Sequence, residues 1–190
     1  MLFNRDKIIL DLCGGSGSWS EPYQTTGYDV RLITLPDNDV CDYIPPVNVY
    51  GILAAPPCTM FSLARTTARE PANFKEGLRC VDACIRMAWT TKPAFFAIEN
   101  PVGHLSKWLG KPQFTFDPWE FGCNYSKRTA LWGYFNKPTK IYARKEAVMS
   151  EDEIQRCSIN NRKLPAGETV ADRRAITPKE FAWAFFEANP

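Results

Sequence analysis

What the chain does without narrows its chemistry early. No Cys-x-x-Cys pair occurs in its 190 residues, and His104 is the single histidine. The ligand sets of structural zinc need more than this, so no metal is expected. No apolar run approaches the ~20 residues of a membrane-spanning helix. The opening "MLFNRDKIILDL" is too short in its apolar part and too charged for a secretory signal. A cytoplasmic protein with no membrane partner is therefore expected. There is no internal repeat and no low-complexity tract, which excludes a repeat array. Net charge is only +2, so the sum neither demands nor excludes nucleic acid, and a local basic patch would matter more. No Walker lysine follows the one glycine-rich turn, which argues against a nucleoside triphosphate. Seven cysteines cannot all pair within the chain, which fits a reducing compartment. Cys80 and Cys84, four apart, share one face of a helix and read as small packing residues.

What is present is ordinary globular material, 45% hydrophobic and 23% charged. The length suits one domain over residues 1–190 and not comfortably two. "KIILDL" (7–12), "YDVRLITL" (28–35), "VYGILAAP" (49–56), "PAFFAIEN" (93–100) and "RTALWGYF" (128–135) read as strands. The helical spacing of Leu78, Val81, Cys84, Ile85 and Ala88 predicts a helix over 76–91. A short helix follows the glycine turn of 13–27, and residues 59–75 read as a long exposed polar loop. Ser150 with Glu153, and Thr177 with Pro178 and Glu180, read as capping boxes. The helix after the second, "FAWAFFEA", is apolar on most sides and should pack deep or against a partner. Strand and helix in alternation predict an α/β domain with a mainly parallel sheet.

Ligands of such sheets sit beyond the carboxyl ends of the strands, and three unusual features lie there. The first is the turn "DLCGGSGSW" (11–19), with glycines at 14, 15 and 17. Glycines let a backbone approach a ligand closely, but Gly15-x-Gly17 alone fits a tight strand-to-helix turn equally well. The second is Cys58, on a Pro56-Pro57 corner. A free cysteine is usually a small buried residue; here the position argues for a nucleophile, given a favourable local field from Arg65 or Arg128. The third is Glu99, a carboxylate at the end of an apolar strand, where a raised pKa would suit proton donation. The next two residues, Asn100-Pro101, are accounted for as a helix cap and first helical position.

In order and wording these segments resemble the DNA cytosine-C5 methyltransferase family. "DLCGGSGSW" resembles its S-adenosyl-L-methionine motif, "NDVCDY" its adenine-contacting Asp motif and "APPCTMFS" its nucleophile motif. "IENP" resembles the glutamate motif and "YSKRTALWG" the arginine motif, while "RRAITPKEFAWAF" is similar to a C-terminal motif. The resemblance implies a Rossmann-like class I methyltransferase fold with helices on both faces of a twisted sheet. It implies S-adenosyl-L-methionine held by Asp11, Cys13, Gly15, Gly17, Trp19, Asp37, Asp39, Val40 and Pro57. Cys58, Glu99 and Arg128 would be catalytic. The partner would be duplex DNA with a flipped cytosine, contacted through Ser62, Arg65, Arg69, Lys127, Arg162 and Lys163.

The chemistry agrees with those residue types. Addition of the Cys58 thiolate to cytosine C6 makes C5 an enamine carbon that can attack a methyl sulfonium, with protonated Glu99 against N3. A base inside a duplex must be flipped out at a cost of a few kcal/mol. The sequence also departs from the family. Thr34 and Leu35 stand where an acidic residue usually holds the cofactor ribose, so either Asp37 substitutes or the ribose lacks that contact. The stretch up to Asp39 is short enough that a helix should be missing, and Ala130 replaces a second arginine. Only about 35 residues, the basic insert 137–171, stand in place of a target-recognition domain, a compactness similar to phage-encoded members. Most of its basic residues read as a solvated loop with some phosphate contact. Three alternatives remain: a tRNA cytosine methyltransferase, a methylase of free nucleotides, and a non-catalytic subunit that binds DNA or a partner chain. A partner chain could also supply target recognition.

Overall fold

A computed structural model describes residues 3–63, 71–159 and 175–190. Six strands form one sheet: β1 (Ile8–Leu12), β2 (Asp29–Ile33), β3 (Val49–Ala54), β4 (Phe95–Pro101), β5 (Phe114–Phe116) and β6 (Thr129–Tyr134). Their spatial order is β2-β1-β3-β4-β6-β5. The first four are parallel to their neighbours, whereas β6 runs antiparallel to both β4 and β5. The result is α/β, a mostly parallel mixed sheet compatible with a Rossmann-like fold. Chain order reverses at β1: β2 is laid down on one side of it and β3 on the other. The crevice beyond the carboxyl ends of β1 and β3 is the topological switch point, where such sheets bind ligands.

Side chains alternate across the sheet with period two, so each strand feeds two cores. Leu10, Leu12, Ile52, Phe96, Ile98 and Trp132 face α2 (Phe74–Thr91), whose Val81, Cys84 and Met87 are fully buried against them. Ile9, Leu53, Phe95, Ala97 and Leu131 face the other way. They meet Trp19, Tyr23 of α1 (Glu21–Thr25) and Phe181 and Phe185 of the C-terminal helix (Lys179–Ala188). Cys84 is thus core packing, as its helical spacing implied, and Cys80 packs partly buried beside it. The insert carries α4 (Glu151–Arg156), with Ser150 and Glu153 forming the expected capping box. The four-residue α3 (Ser106–Leu109) precedes β5. The C-terminal helix is α5.

Three local expectations are corrected. Asn100 and Pro101 do not start a helix; pairing with Ala130 and Thr129 of β6 extends β4 through them. Thr177 and Glu180 do not form a capping box. Pro178 is extended and serves as the N-cap, Thr177 N donates to Ser18 Oγ at 3.0 Å, and Glu180 accepts from the Cys123 thiol. The segment 59–75 is not uniformly an exposed loop: Phe61 is fully buried and Phe74 opens α2, which is capped by Asn73. The expected missing helix between β2 and β3 is indeed replaced by turns. Among the described residues no helix is long and apolar enough to cross a membrane.

Candidate active site

β1 ends on Asp11-Leu12 and turns sharply. Cys13, Gly15 and Gly17 all take positive φ, at 56°, 56° and 72°. Glycine adopts that region without strain, and Cys13 does so at a cost. The sterically decisive glycine is Gly14, which the pattern of alternating glycines does not single out. A Cβ there would lie 2.2 Å from Asp11 Oδ1, whereas one at Gly15 would meet open space. Asp11 is fully buried beneath the turn. Its Oδ2 accepts from Ser20 Oγ at 2.6 Å, and its Oδ1 has no hydrogen-bond partner. Burial raises its pKa from the ordinary 3.8 to about 6, against the opposing hydrogen bonds from Ser20.

The Cys13 thiol is lowered, chiefly because the Cys84 thiol donates to it, while Asp11 and Asp39 are close enough to oppose its ionisation. Asp11, Cys13 and Asp39 therefore share one corner. Asp39 Oδ1 accepts from Cys41 N at 2.8 Å, closing the turn after β2, and Val40 beside it is buried in the α2-side core. Asp37 is exposed. Trp19 lies in the opposite core, 2% exposed, its ring 5.3 Å from Phe185 and 6.1 Å from Phe181. It packs α5 onto the turn instead of offering a face to a ligand. The turn thus presents backbone at the end of β1, over a buried carboxylate whose Oδ1 has no hydrogen-bond partner. Asp39 retains a carboxylate oxygen for an amino group.

β3 ends at Ala54, and the chain passes through buried Pro56 and exposed Pro57 to half-buried Cys58. Cys58 O accepts from both Phe61 N and Ser62 N at 2.9 Å, so the residue opens a tight turn. The neighbouring strand holds this corner directly: Asn100 Nδ2 donates to Pro56 O at 2.9 Å, fully buried. Glu99 precedes it and points to the opposite face of the sheet. Cys58 and Glu99 thus sit at the carboxyl ends of two adjacent parallel strands, cross-braced by Asn100.

Glu99 does not stand alone against an apolar wall. Lys127 Nζ lies 3.3 Å from its Oε1, and the two side chains are 8% and 13% exposed respectively. Lys127, expected on DNA phosphates, is therefore the cation of the site. Arg128, expected there, turns instead to β5, where it meets Asp117 Oδ2 at 3.3 Å and Thr115 Oγ1 at 3.2 Å. The signal in the sequence was only the pair Lys127-Arg128; which of the two faces Glu99 is set by the irregular stretch just before β6. Arg65, Arg69, Arg162 and Lys163 lie outside the described residues.

The described part of the insert is tied to the domain by specific contacts. Ser126 N donates to Cys157 O, Ile159 N to Ser126 O, and Ile159 packs with Cys123 and Tyr125. Lys140 pairs with Glu120 at 2.8 Å. Among the described residues no group of three His, Cys, Asp or Glu could hold a metal ion, and no cysteine is in a disulfide. Compared with known proteins, the chain matches no family model and no curated relative.

Proposed function

We propose that this chain methylates C5 of cytosine in DNA, with S-adenosyl-L-methionine as methyl donor. The observation that carries the reading is the placement of Cys58 and Glu99 beyond and at the carboxyl ends of adjacent parallel strands, which the Asn100–Pro56 hydrogen bond ties together. It is supported by the glycine turn over Asp11 at the neighbouring switch point. The donor supplies an electrophilic methyl on a sulfonium. Cys58 supplies a thiolate that bonds to cytosine C6, and Glu99 supplies a hydrogen bond or proton at N3, where the negative charge goes. C5 then takes the methyl, the donor leaves as a neutral thioether, a base removes the C5 proton, and the C6–S bond breaks to restore the thiolate. Lys127 fixes the position of the Glu99 carboxyl through their 3.3 Å contact.

Transfer from tritiated S-adenosyl-L-methionine to DNA, tRNA and dCMP in parallel tests the substrate class, with DNA expected to be labelled. DNA carrying 5-fluorocytosine cannot lose a C5 proton, so it should trap a denaturation-resistant adduct that Cys58→Ala abolishes. Full activity in Cys58→Ala would sink the mechanism.

A further inference from the structure

An aromatic column beside the Cys58 turn is not used by that chemistry. Phe61, three residues after Cys58 and fully buried, lies 6.3 Å from Phe74 and 5.8 Å from Trp108. Phe74 and Trp108 are 4.7 Å apart, and His104 stands edge-on to Phe74 at 5.7 Å. The column rises from the core to the surface, where Trp108 is 41% exposed. It cannot slide relative to the turn: His104 N donates to Phe61 O at 2.8 Å, and a Cβ on Gly103 would lie 2.4 Å from that oxygen.

Along the segment that carries Trp108 the charge has one sign, while on the α2 side the exposed Glu76 is paired with Arg79 at 3.0 Å. Residues 100–116 contain no Asp or Glu, and Lys107 and Lys111, flanking Trp108, are both exposed. Lys75, next to Phe74, is exposed as well. A half-exposed indole framed by ammonium groups is complementary to a flat apolar ring carried on a polyanion. Nucleic-acid bases have that form, but in a duplex their faces are covered by one another and only in a single strand are they open. Stacking on aromatic side chains and phosphate contact through lysines are what non-sequence-specific single-strand binding uses.

We propose that Trp108, backed by Phe74 and Phe61, is a stacking platform for bases flanking the target cytosine, and that the substrate is single-stranded DNA. The inference rests on reading the Cys58–Glu99 site as one that takes cytosine. It also removes a difficulty of a compact chain, since an unpaired base needs no flipping and no second domain to hold an opened duplex.

The test is fluorescence anisotropy of the full chain with an end-labelled 12-mer containing one central cytosine. It is run as single-stranded DNA, as duplex and as single-stranded RNA. Single-stranded DNA should bind at least about 10-fold tighter than duplex. Trp108→Ala should lose about 10-fold on the single strand, Trp108→Phe should keep most of the affinity, and Trp89→Ala, removing an exposed indole far along α2, should change nothing. Changing Lys107 and Lys111 to Gln should reduce the slope of log Kd against log salt by about 1.4. If Trp108→Ala fails to fold, photocrosslinking of a 5-iododeoxyuridine next to the cytosine should map to Trp108 by mass spectrometry. Equal binding of duplex, an unaffected Trp108→Ala, crosslinks elsewhere or a 10-fold preference for RNA would each overturn the proposal. Cys58→Ala keeps the single-strand preference while losing transfer, so failure of the chemistry and failure of the platform read differently.

Discussion

Asp11 shows what one residue at a strand end can impose. It is fully buried, one oxygen is held by Ser20, and the other faces Gly14 with no partner. Its pKa is raised to about 6 by burial, so the folded protein binds this proton more tightly than the unfolded chain does. The stabilisation is complete below the unfolded value near 4 and is lost as pH rises through about 6. The loss should amount to about 3 kcal/mol. In the absence of cofactor, urea denaturation of wild type and Asp11→Asn across pH 4 to 7 should show it. The difference between the two should move by that amount in favour of Asn as pH rises, because Asn keeps an acceptor for Ser20 and carries no charge. A difference independent of pH would mean that the carboxylate is not penalised by its burial. The same geometry fixes Gly14, where any side chain would meet the carboxylate.

At the scale of elements, the site depends on two strand ends being tied together. Asn100 Nδ2 donates to Pro56 O inside the protein. Asn100→Ala leaves that carbonyl buried and unpaired, at a cost of about 1–3 kcal/mol. Asn100→Asp should be worse than Ala, since a carboxylate would face the carbonyl with no donor to offer. Thermal midpoints ranked wild type, Ala, Asp would bear this out, and Asp at or above Ala would show that the brace carries no weight. The predicted strands were legible as short apolar runs bounded by turn residues, and the long helix because its apolar residues repeat with a period of 3.6. The brace was not. Asn-Pro after a strand has a purely local explanation as a helix start, and only pairing with β6, a contact distant in sequence, overrides it. Thr177-Pro178 misled in the same way, because α5 docks on Ser18 at the glycine turn instead of capping itself. β5, three residues long, carries too few positions to display a period. At the site, Cys58, Glu99 and the glycine turn were legible as residue types at strand ends. Lys127 over Arg128 was not, since both lie in the irregular stretch before β6, whose path is set by contacts distant in sequence.

For the whole molecule, the question is how much sequence it can read. Each good bidentate contact to a base edge discriminates by about 1–3 kcal/mol, and a long site needs several of them on a rigid frame. The insert 137–171 offers one short α-helix and one 3-10 turn among its described residues, and part of its basic charge is already engaged. Lys140 pairs with Glu120, and Lys145 Nζ lies 3.7 Å from Cys157 Sγ. Lys137, Arg144 and Arg156 are exposed; single cations of that kind hold phosphates, which position a protein without informing it of sequence. A target of roughly one to three bases is therefore expected from this chain alone, with binding that weakens steeply as salt rises. Bisulfite sequencing of a circular single-stranded DNA and of its duplex form, each treated with the purified protein, measures this directly. Methylation should be spread over many short contexts in both and denser on the single strand. Confinement to one site of four or more defined bases would mean that a reading element exists and that base edges, not phosphates, set the affinity.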